Sequence, residues 1–410
     1  MKVAILTLGC RVNQSESSVI EGNLLKNGVE IVDLHENPEY CIINTCTVTS
    51  RADYNSRQLI RRAVRAGSKV IVTGCYSQLR SDEIRKIPGL IQISDIKQKN
   101  EIANIIAGRK LDLNYGLHSR SRPHLKVQDG CNFNCSYCAV PHARGRSRSI
   151  PIEEAVKRAQ DMDQSGYKEV VLTGIHLGSY GHDLNSGENL HDLLVALLKR
   201  TNIYRFRLSS LEINEVSDEL LEIMQDRRIC KHLHLPLQSG NINILKKMKR
   251  NYSPEFFQKR IDVISNAINN ISIGTDIIVG FPSEGEDEFK DTLNLIDSSP
   301  FTYLHVFPFS PRPGTEAFLL KHRVKNEIVK ERLSRLKKLD KIKRNKYMEE
   351  QIGRTLDIIV EETLPNDHIV GTSSNYLKIS AFSGGNIKGN AVFVRPESIE
   401  KKMLSGSLII

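Results

Sequence analysis

The chain has 410 residues, 40% hydrophobic and 26% charged, with 58 Lys and Arg against 48 Asp and Glu for a formal charge of +10. That length supports two or three domains with substantial cores, and the absence of any sufficiently long apolar stretch excludes a bilayer-spanning segment. The basic balance favours a polyanionic partner such as nucleic acid, without separating an RNA binder from a merely soluble basic protein.

The first ten residues carry one lysine, a short apolar core and no small-residue cleavage site, so they read as a first strand rather than a signal peptide. A cytoplasmic location is expected, and eight cysteines in that reducing compartment argue for metal binding or catalysis over disulfides. Apolar runs at residues 3–8, 29–33, 41–44, 70–73 and 90–94 alternate with helical patterns, which predicts a doubly wound parallel sheet over residues 1–108. Cys10, Cys46 and Cys75 stand just past the first, third and fourth runs, after the small residues Gly9, Thr45 and Gly74. They are expected at the carboxyl edge of one sheet, where open α/β folds place ligands; three unrelated loop thiols are the alternative. Cys41 and Cys230 lie inside apolar runs and read as core packing.

Residues 109–123 turn polar and basic around Asn114, Gly116, Ser119 and Ser121 and read as a linker. Strand and helix alternation then resumes over residues 124–348, with strands expected at 125–128, 169–173, 205–208, 232–235, 273–279 and 303–307. Six β/α units predict a barrel or partial barrel with its chemistry at the carboxyl ends of the strands. Cys131, Cys135 and Cys138 follow the first of these strands, with only His142 near as a fourth ligand. Structural zinc needs four ligands, whereas three thiolates on a 4Fe-4S cluster leave one iron open for a reactive, non-protein ligand. His232 and His234 share one face of a strand; no nearby cysteine or carboxylate in the sequence completes a metal set, so they read as packed histidines with hydrogen-bond partners.

A lysine-rich helix at 330–346 leads to residues 350–410, where short strands at 355–361, 369–371, 377–381 and 391–394 predict a small β-barrel or sandwich. Arg354, Lys378 and Lys388 make nucleic-acid binding plausible there, although unrelated small β domains share this layout. Arg57, Arg61 and Arg65 recur at helical spacing, and Arg144, Arg146 and Arg148 follow the cysteine loop; both groups read as solvated faces or as RNA contacts.

The run Cys131-Asn-Phe-Asn-Cys135-Ser-Tyr-Cys138 resembles the cysteine motif of the radical S-adenosylmethionine (SAM) superfamily. The resemblance implies that SAM chelates the unique iron and is cleaved by an electron from the cluster to methionine and a 5′-deoxyadenosyl radical. It also implies adenine contact by Tyr137 and SAM contacts at the strand-end residues Thr173, Gly174, Ser210 and Gln238. Upstream, Thr7-Leu-Gly-Cys10-Arg-Val-Asn13, Asn44-Thr-Cys46-Thr-Val-Thr49 and Thr73-Gly-Cys75 resemble the amino-terminal domain of the methylthiotransferases. Leu235-Pro-Leu-Gln-Ser-Gly240, Ile278-Val-Gly-Phe-Pro282 and Phe309-Ser-Pro-Arg-Pro-Gly-Thr315 are similar to the same family, and residues 352–399 resemble its terminal TRAM domain.

In this family Cys10, Cys46 and Cys75 would hold an auxiliary 4Fe-4S cluster that delivers methylthio to a carbon of the substrate, for two clusters in all. The residues after Cys10 and around Cys46 look most like the branch acting on N6-threonylcarbamoyladenosine beside the tRNA anticodon; isopentenyladenosine in tRNA and a ribosomal protein are the alternative targets. An electron donor such as flavodoxin or ferredoxin is implied. Arg312 is a candidate contact for the threonylcarbamoyl carboxylate, with a core arginine satisfied by backbone carbonyls as the alternative. A reading of another class is a non-catalytic, metal-stabilised RNA-binding protein.

Overall fold

The computed structural model describes residues 1–111, 115–116, 119–365 and 367–409; Asn114 of the expected linker lies outside them. Strands β1 (Lys2–Thr7), β2 (Glu30–Ile31), β3 (Tyr40–Thr45), β4 (Lys69–Gly74) and β5 (Leu90–Ile93) form an all-parallel sheet in the order β2-β1-β3-β4-β5. All five expected strands are present. The central strands are apolar without alternation because both faces are covered: Cys41 and Ile43 join one hydrophobic cluster and Ile42 the other. Helices α1 (Arg11–Lys26), α2 (Ser50–Arg65) and α3 (Cys75–Leu79) follow β1, β3 and β4. Thr49 sets the start of α2, its Oγ1 accepting from the Ala52 amide at 3.1 Å, a cap that contributes about 1 kcal/mol.

The central part contains β6 (His124–Lys126), β7 (Gln128–Asp129), β8 (Arg148–Ser149), β9 (Glu169–Thr173), β10 (Arg205–Leu208), β11 (His232–His234), β12 (Ser272–Val279) and β13 (Tyr303–Pro308). Six of these are parallel and form two triplets, β10-β9-β6 and β11-β12-β13, linked by a bridge between Phe206 and Ile229. They make a partial barrel around one large core that includes Val170, Leu172, Phe206, Leu233 and Ile273. The antiparallel pair β7 and β8, unforeseen in the sequence, closes the base of the cysteine loop. In β12, Gly274 is required by contact: a Cβ there would lie 1.9 Å from Cζ of Tyr303 on the paired strand β13.

A helix at Asn326–Glu349, longer at both ends than the basic run that announced it, leads to β14 (Leu356–Thr363), β15 (His368–Ser373), β16 (Lys378–Phe382), β17 (Ala391–Glu400) and β18 (Met403–Ile409). These strands close into a barrel in the order β14-β15-β16-β18-β17, which leaves no free edges. Strand β18 was not foreseen because its serines and glycine blur the alternation; its one buried residue is Leu404. The two barrels are joined by fully buried charges. Glu169 on β9 accepts from Arg205 Nε and Arg207 Nε on β10, each at 2.7 Å. The same guanidiniums donate to the carbonyls of Thr372 at 2.7 Å and Ser373 at 2.8 Å in the terminal barrel. Among the described residues no helix is long and apolar enough to cross a membrane.

Candidate active site

Cys10 precedes α1, Cys46 follows β3 and Cys75 opens α3, so three strand ends of one parallel sheet deliver three thiols to one place. All three are free and line a single cavity of about 910 Å³. Gly9 makes this approach possible. Its φ is +99°, and a Cβ would lie 2.8 Å from Cys46 Sγ. Burial pushes the Cys46 thiol up to about 12, and the neighbouring Cys75 and Cys10 push it the same way. A protonated Cys46 thiol would therefore release its proton on binding a metal group.

Cys75 has a cationic neighbour. Arg144 Nε donates to Cys75 Sγ at 3.3 Å, and although burial raises this thiol, the guanidinium acts in the opposite direction. Arg144 is fully buried and donates also to Glu16 Oε1 at 3.0 Å, Asp129 Oδ1 at 2.8 Å and Asn13 Oδ1 at 2.6 Å. Lys126 donates to Glu16 at 2.9 Å, and Lys99 pairs with the same carboxylate. Arg144 is thus neither a solvated residue nor an RNA contact, as its basic neighbours suggested; it ties the first sheet's helix α1 to the cysteine loop. The sequence placed it correctly beside that loop but held no sign of its pairing with Glu16, 128 residues away.

Cys131, Cys135 and Cys138 share the loop after β7. The Phe133 amide donates to Cys131 Sγ at 3.4 Å, His176 Nδ1 stands 3.7 Å from the same sulfur, and Arg250 Nη1 donates to Cys135 Sγ at 3.4 Å. Burial pushes the Cys138 thiol up to about 12. Among the described residues, neither cysteine trio brings its three sulfurs within 4.8 Å of one another. Tetrahedral zinc, with Zn–S near 2.3 Å, needs sulfurs roughly 3.8 Å apart. Three thiols leave tetrahedral zinc one ligand short and suit a polynuclear iron-sulfur group with one open iron, and among the described residues His142 joins neither set.

The cavity that holds Cys10, Cys46 and Cys75 is also lined by Gly174 and Ser210 from the strand ends and by Lys388 from the terminal barrel. The other expected residues lie elsewhere. Tyr137 packs against the apolar group of Ile244, Met248, Phe281 and Ala317, and Thr173 is buried at the end of β9. Gln238 has φ +65°, and its buried Oε1 has no hydrogen-bond partner among the described residues. The Ser209 hydroxyl is in the same condition. Two unpartnered polar atoms following barrel strands fit a polar cofactor such as SAM. Arg312 is committed otherwise: its guanidinium pairs with Asp53 and donates to Thr47 Oγ1 at 3.0 Å and Ser50 Oγ at 3.3 Å. It fastens the strand-end loop to the segment after Cys46, and its partners are side chains rather than backbone carbonyls. Lys378 pairs with Glu361 at 2.6 Å, and Arg354 lines a separate depression with Lys343 and Lys346.

His232 and His234 are buried with hydrogen-bond partners, both within reach of the Tyr303 hydroxyl, at 2.8 and 3.1 Å. A carboxylate does complete a candidate ligand set, made of His234, Asp276 and His305 and without His232, contrary to the reading from sequence. Asp276 on β12 stands 2.9 Å from His234 Nε2 and 3.3 Å from His305 Nδ1. Burial opposes its ionisation, but the hydrogen bonds from the two imidazoles hold its carboxyl below the ordinary value. Asp276, Tyr303 and His305 line the cavity, together with Tyr376 from the terminal barrel, whose ring stacks on His232 at 4.2 Å.

The model of the radical SAM superfamily matches residues 125–296, and that of "Uncharacterized protein family UPF0004" matches residues 2–94. Among solved structures, the radical S-adenosylmethionine methyltransferase TsrM from Kitasatospora setae is similar in fold, with a TM-score of 0.58 at 14% identity over 77% of this chain and 76% of that one. The fold and the three-cysteine loop thus define a radical SAM protein. Threonylcarbamoyladenosine tRNA methylthiotransferases of Bacillus subtilis and Aquifex aeolicus are 38% and 39% identical, over 92% and 88% of this chain and 89% and 93% of theirs. A tRNA-2-methylthio-N(6)-dimethylallyladenosine synthase of Aliarcobacter butzleri is 32% identical over 100% of this chain and 99% of its own. The chain belongs to the radical SAM methylthiotransferases, enzymes that transfer a methylthio group.

Proposed function

We propose that the protein converts N6-threonylcarbamoyladenosine next to the tRNA anticodon into its 2-methylthio derivative, in the cytoplasm, with two 4Fe-4S clusters and SAM. The observation that carries this reading is the single cavity in which Cys10, Cys46 and Cys75 meet the barrel residues Gly174 and Ser210 and the terminal-barrel residue Lys388. The substrate branch rests on the names of the relatives at 38% and 39% identity. When bound, the cluster on Cys131, Cys135 and Cys138 would supply the electron that cleaves SAM, and that on Cys10, Cys46 and Cys75 the sulfur chemistry. Flavodoxin or ferredoxin is the proposed electron donor.

The chain's own groups have definable tasks. Arg144 holds the Cys75 sulfur by a charged donor, and Arg250 does so for Cys135. The Tyr303 and Asp276 side chains give the cavity a polar wall with fixed hydrogen bonds, and the closed joint through Glu169 keeps the terminal barrel seated over that wall. Lys388 is exposed at the cavity and suits an RNA phosphate.

The test is anaerobic reconstitution followed by incubation with SAM, dithionite and tRNA carrying threonylcarbamoyladenosine, with nucleosides read by mass spectrometry. A methylthio adduct that disappears on changing any of the six cysteines is expected, with about eight iron and eight sulfide per chain. Deoxyadenosine without the adduct would leave the radical chemistry and overturn the substrate.

A further inference from the structure

We infer that Arg11 binds the threonyl carboxylate of the substrate nucleoside and thereby selects threonylcarbamoyladenosine over adenosines with a neutral N6 group. The inference rests on the proposed substrate and names the residue that recognises it. A carboxylate entering a partly desolvated cavity needs a cation that no protein carboxylate already occupies. Among the arginines lining the cavity, Arg122 is paired with Glu169 at 3.1 Å and Glu361 at 2.7 Å. Arg144 is paired with Glu16 and Asp129, and Arg207 with Glu169. Arg312, whose guanidinium the sequence offered for this task, is held by Asp53.

Arg11, Arg120 and Lys388 line the cavity with no ion pair among the described residues, and of these only Arg11 is partly buried. Its Nη2 donates to the neutral hydroxyl of Tyr376 at 3.1 Å, and its guanidinium stands 5.8 Å from that ring's centroid. Tyr376 is itself fixed, with φ +66° and its ring against His232. Burial raises its phenol, yet Arg11, Arg207 and Arg122 outweigh this and hold it below the ordinary value, as a positive field requires. Arg11 also follows Cys10 directly. A guanidinium held on a neutral phenol keeps N–H groups for bidentate capture of a carboxylate beside the thiols proposed to hold the second cluster.

The alternative anion is an RNA phosphate, and the experiment separates the two. Reconstituted wild type, Arg11→Gln, Arg11→Lys and Tyr376→Phe would be titrated at matched salt with anticodon stem-loops carrying threonylcarbamoyladenosine, isopentenyladenosine or adenosine. Iron content and circular dichroism would check each variant's assembly. Arg11→Gln should lose about tenfold or more in affinity for the threonylcarbamoyl RNA alone, Arg11→Lys less, and Tyr376→Phe less again with the same selectivity. Equal losses for all three RNAs would assign Arg11 to a phosphate and overturn the inference; unchanged affinities would overturn it also. If Arg11→Gln fails to assemble, the selectivity of Arg11→Lys and Tyr376→Phe decides. Wild type that methylthiolates no threonylcarbamoyl RNA would instead defeat the proposed substrate.

Discussion

Arg144 gathers two carboxylates, an amide and a thiol around one guanidinium with no exposed side-chain surface. Removing a single partner from such a buried set leaves the others uncompensated, which costs far more than forming the set gained. Arg144→Gln should therefore destabilise the apoprotein by about 3–5 kcal/mol in urea unfolding. Arg144→Lys should not restore it, because one ammonium cannot span Glu16, Asp129, Asn13 and Cys75 together. A loss below about 1 kcal/mol would show that the set is not a structural joint. The residue types were visible in the sequence, and so was the neighbourhood of the cysteine loop. The pairing was not, since Glu16 lies on α1 of another sheet.

At the scale of elements, β9 and β10 are stitched by Glu169, Arg205 and Arg207. Burial opposes ionisation of Glu169, but Arg207, Arg205 and Arg122 outweigh it and hold the carboxyl well below the ordinary value. The sign follows: with a folded-state value below the unfolded one, the contribution is fully present above the ordinary value of 4.5 and is lost as pH falls below it. The melting temperature should be insensitive to this group from about pH 7 down to about pH 5 and fall as the pH is lowered further below about 4.5, and Glu169→Gln should lower it at the upper pH while reducing that further drop. A pH profile identical to wild type would remove Glu169 from the account. Strand β12 offers a steric counterpart. Gly274→Ala would drive Tyr303 off the strand and away from His232 and His234, at about 1–3 kcal/mol, readable as a lower midpoint in urea. Strand positions were legible because apolar runs and β-branched residues mark buried strands, while β7, β8 and β18 were too short or too polar to carry that mark.

For the whole molecule, three structural units meet at one cavity, and the basic surface near it divides into paired and unpaired charges. Lys388 reaches the cavity with no ion pair among the described residues, Lys378 is tied to Glu361, and Arg354 sits in another depression. Lys388→Ala should weaken tRNA binding and lower the magnitude of its salt slope by about 1, whereas Arg354→Ala should leave both nearly unchanged. Filter binding across a salt series checks this, and equal effects from the two substitutions would contradict the division. The resemblance of the cysteine motifs carried the family, since six thiols in that order with those flanking residues specify a chemistry through local spacing alone.

The sequence by itself determined where most of the strands lie, which six thiols are candidate ligands and which family the chain joins, because periodicity, residue type and cysteine spacing are local properties of the chain. Only the tertiary structure decided which charges are already neutralised. Arg312 meets Asp53, Arg144 meets Glu16, and Arg11, among the described residues, meets a phenol and no carboxylate. Such pairings join residues tens to hundreds of positions apart, and the energy of a charge depends on what else is buried beside it.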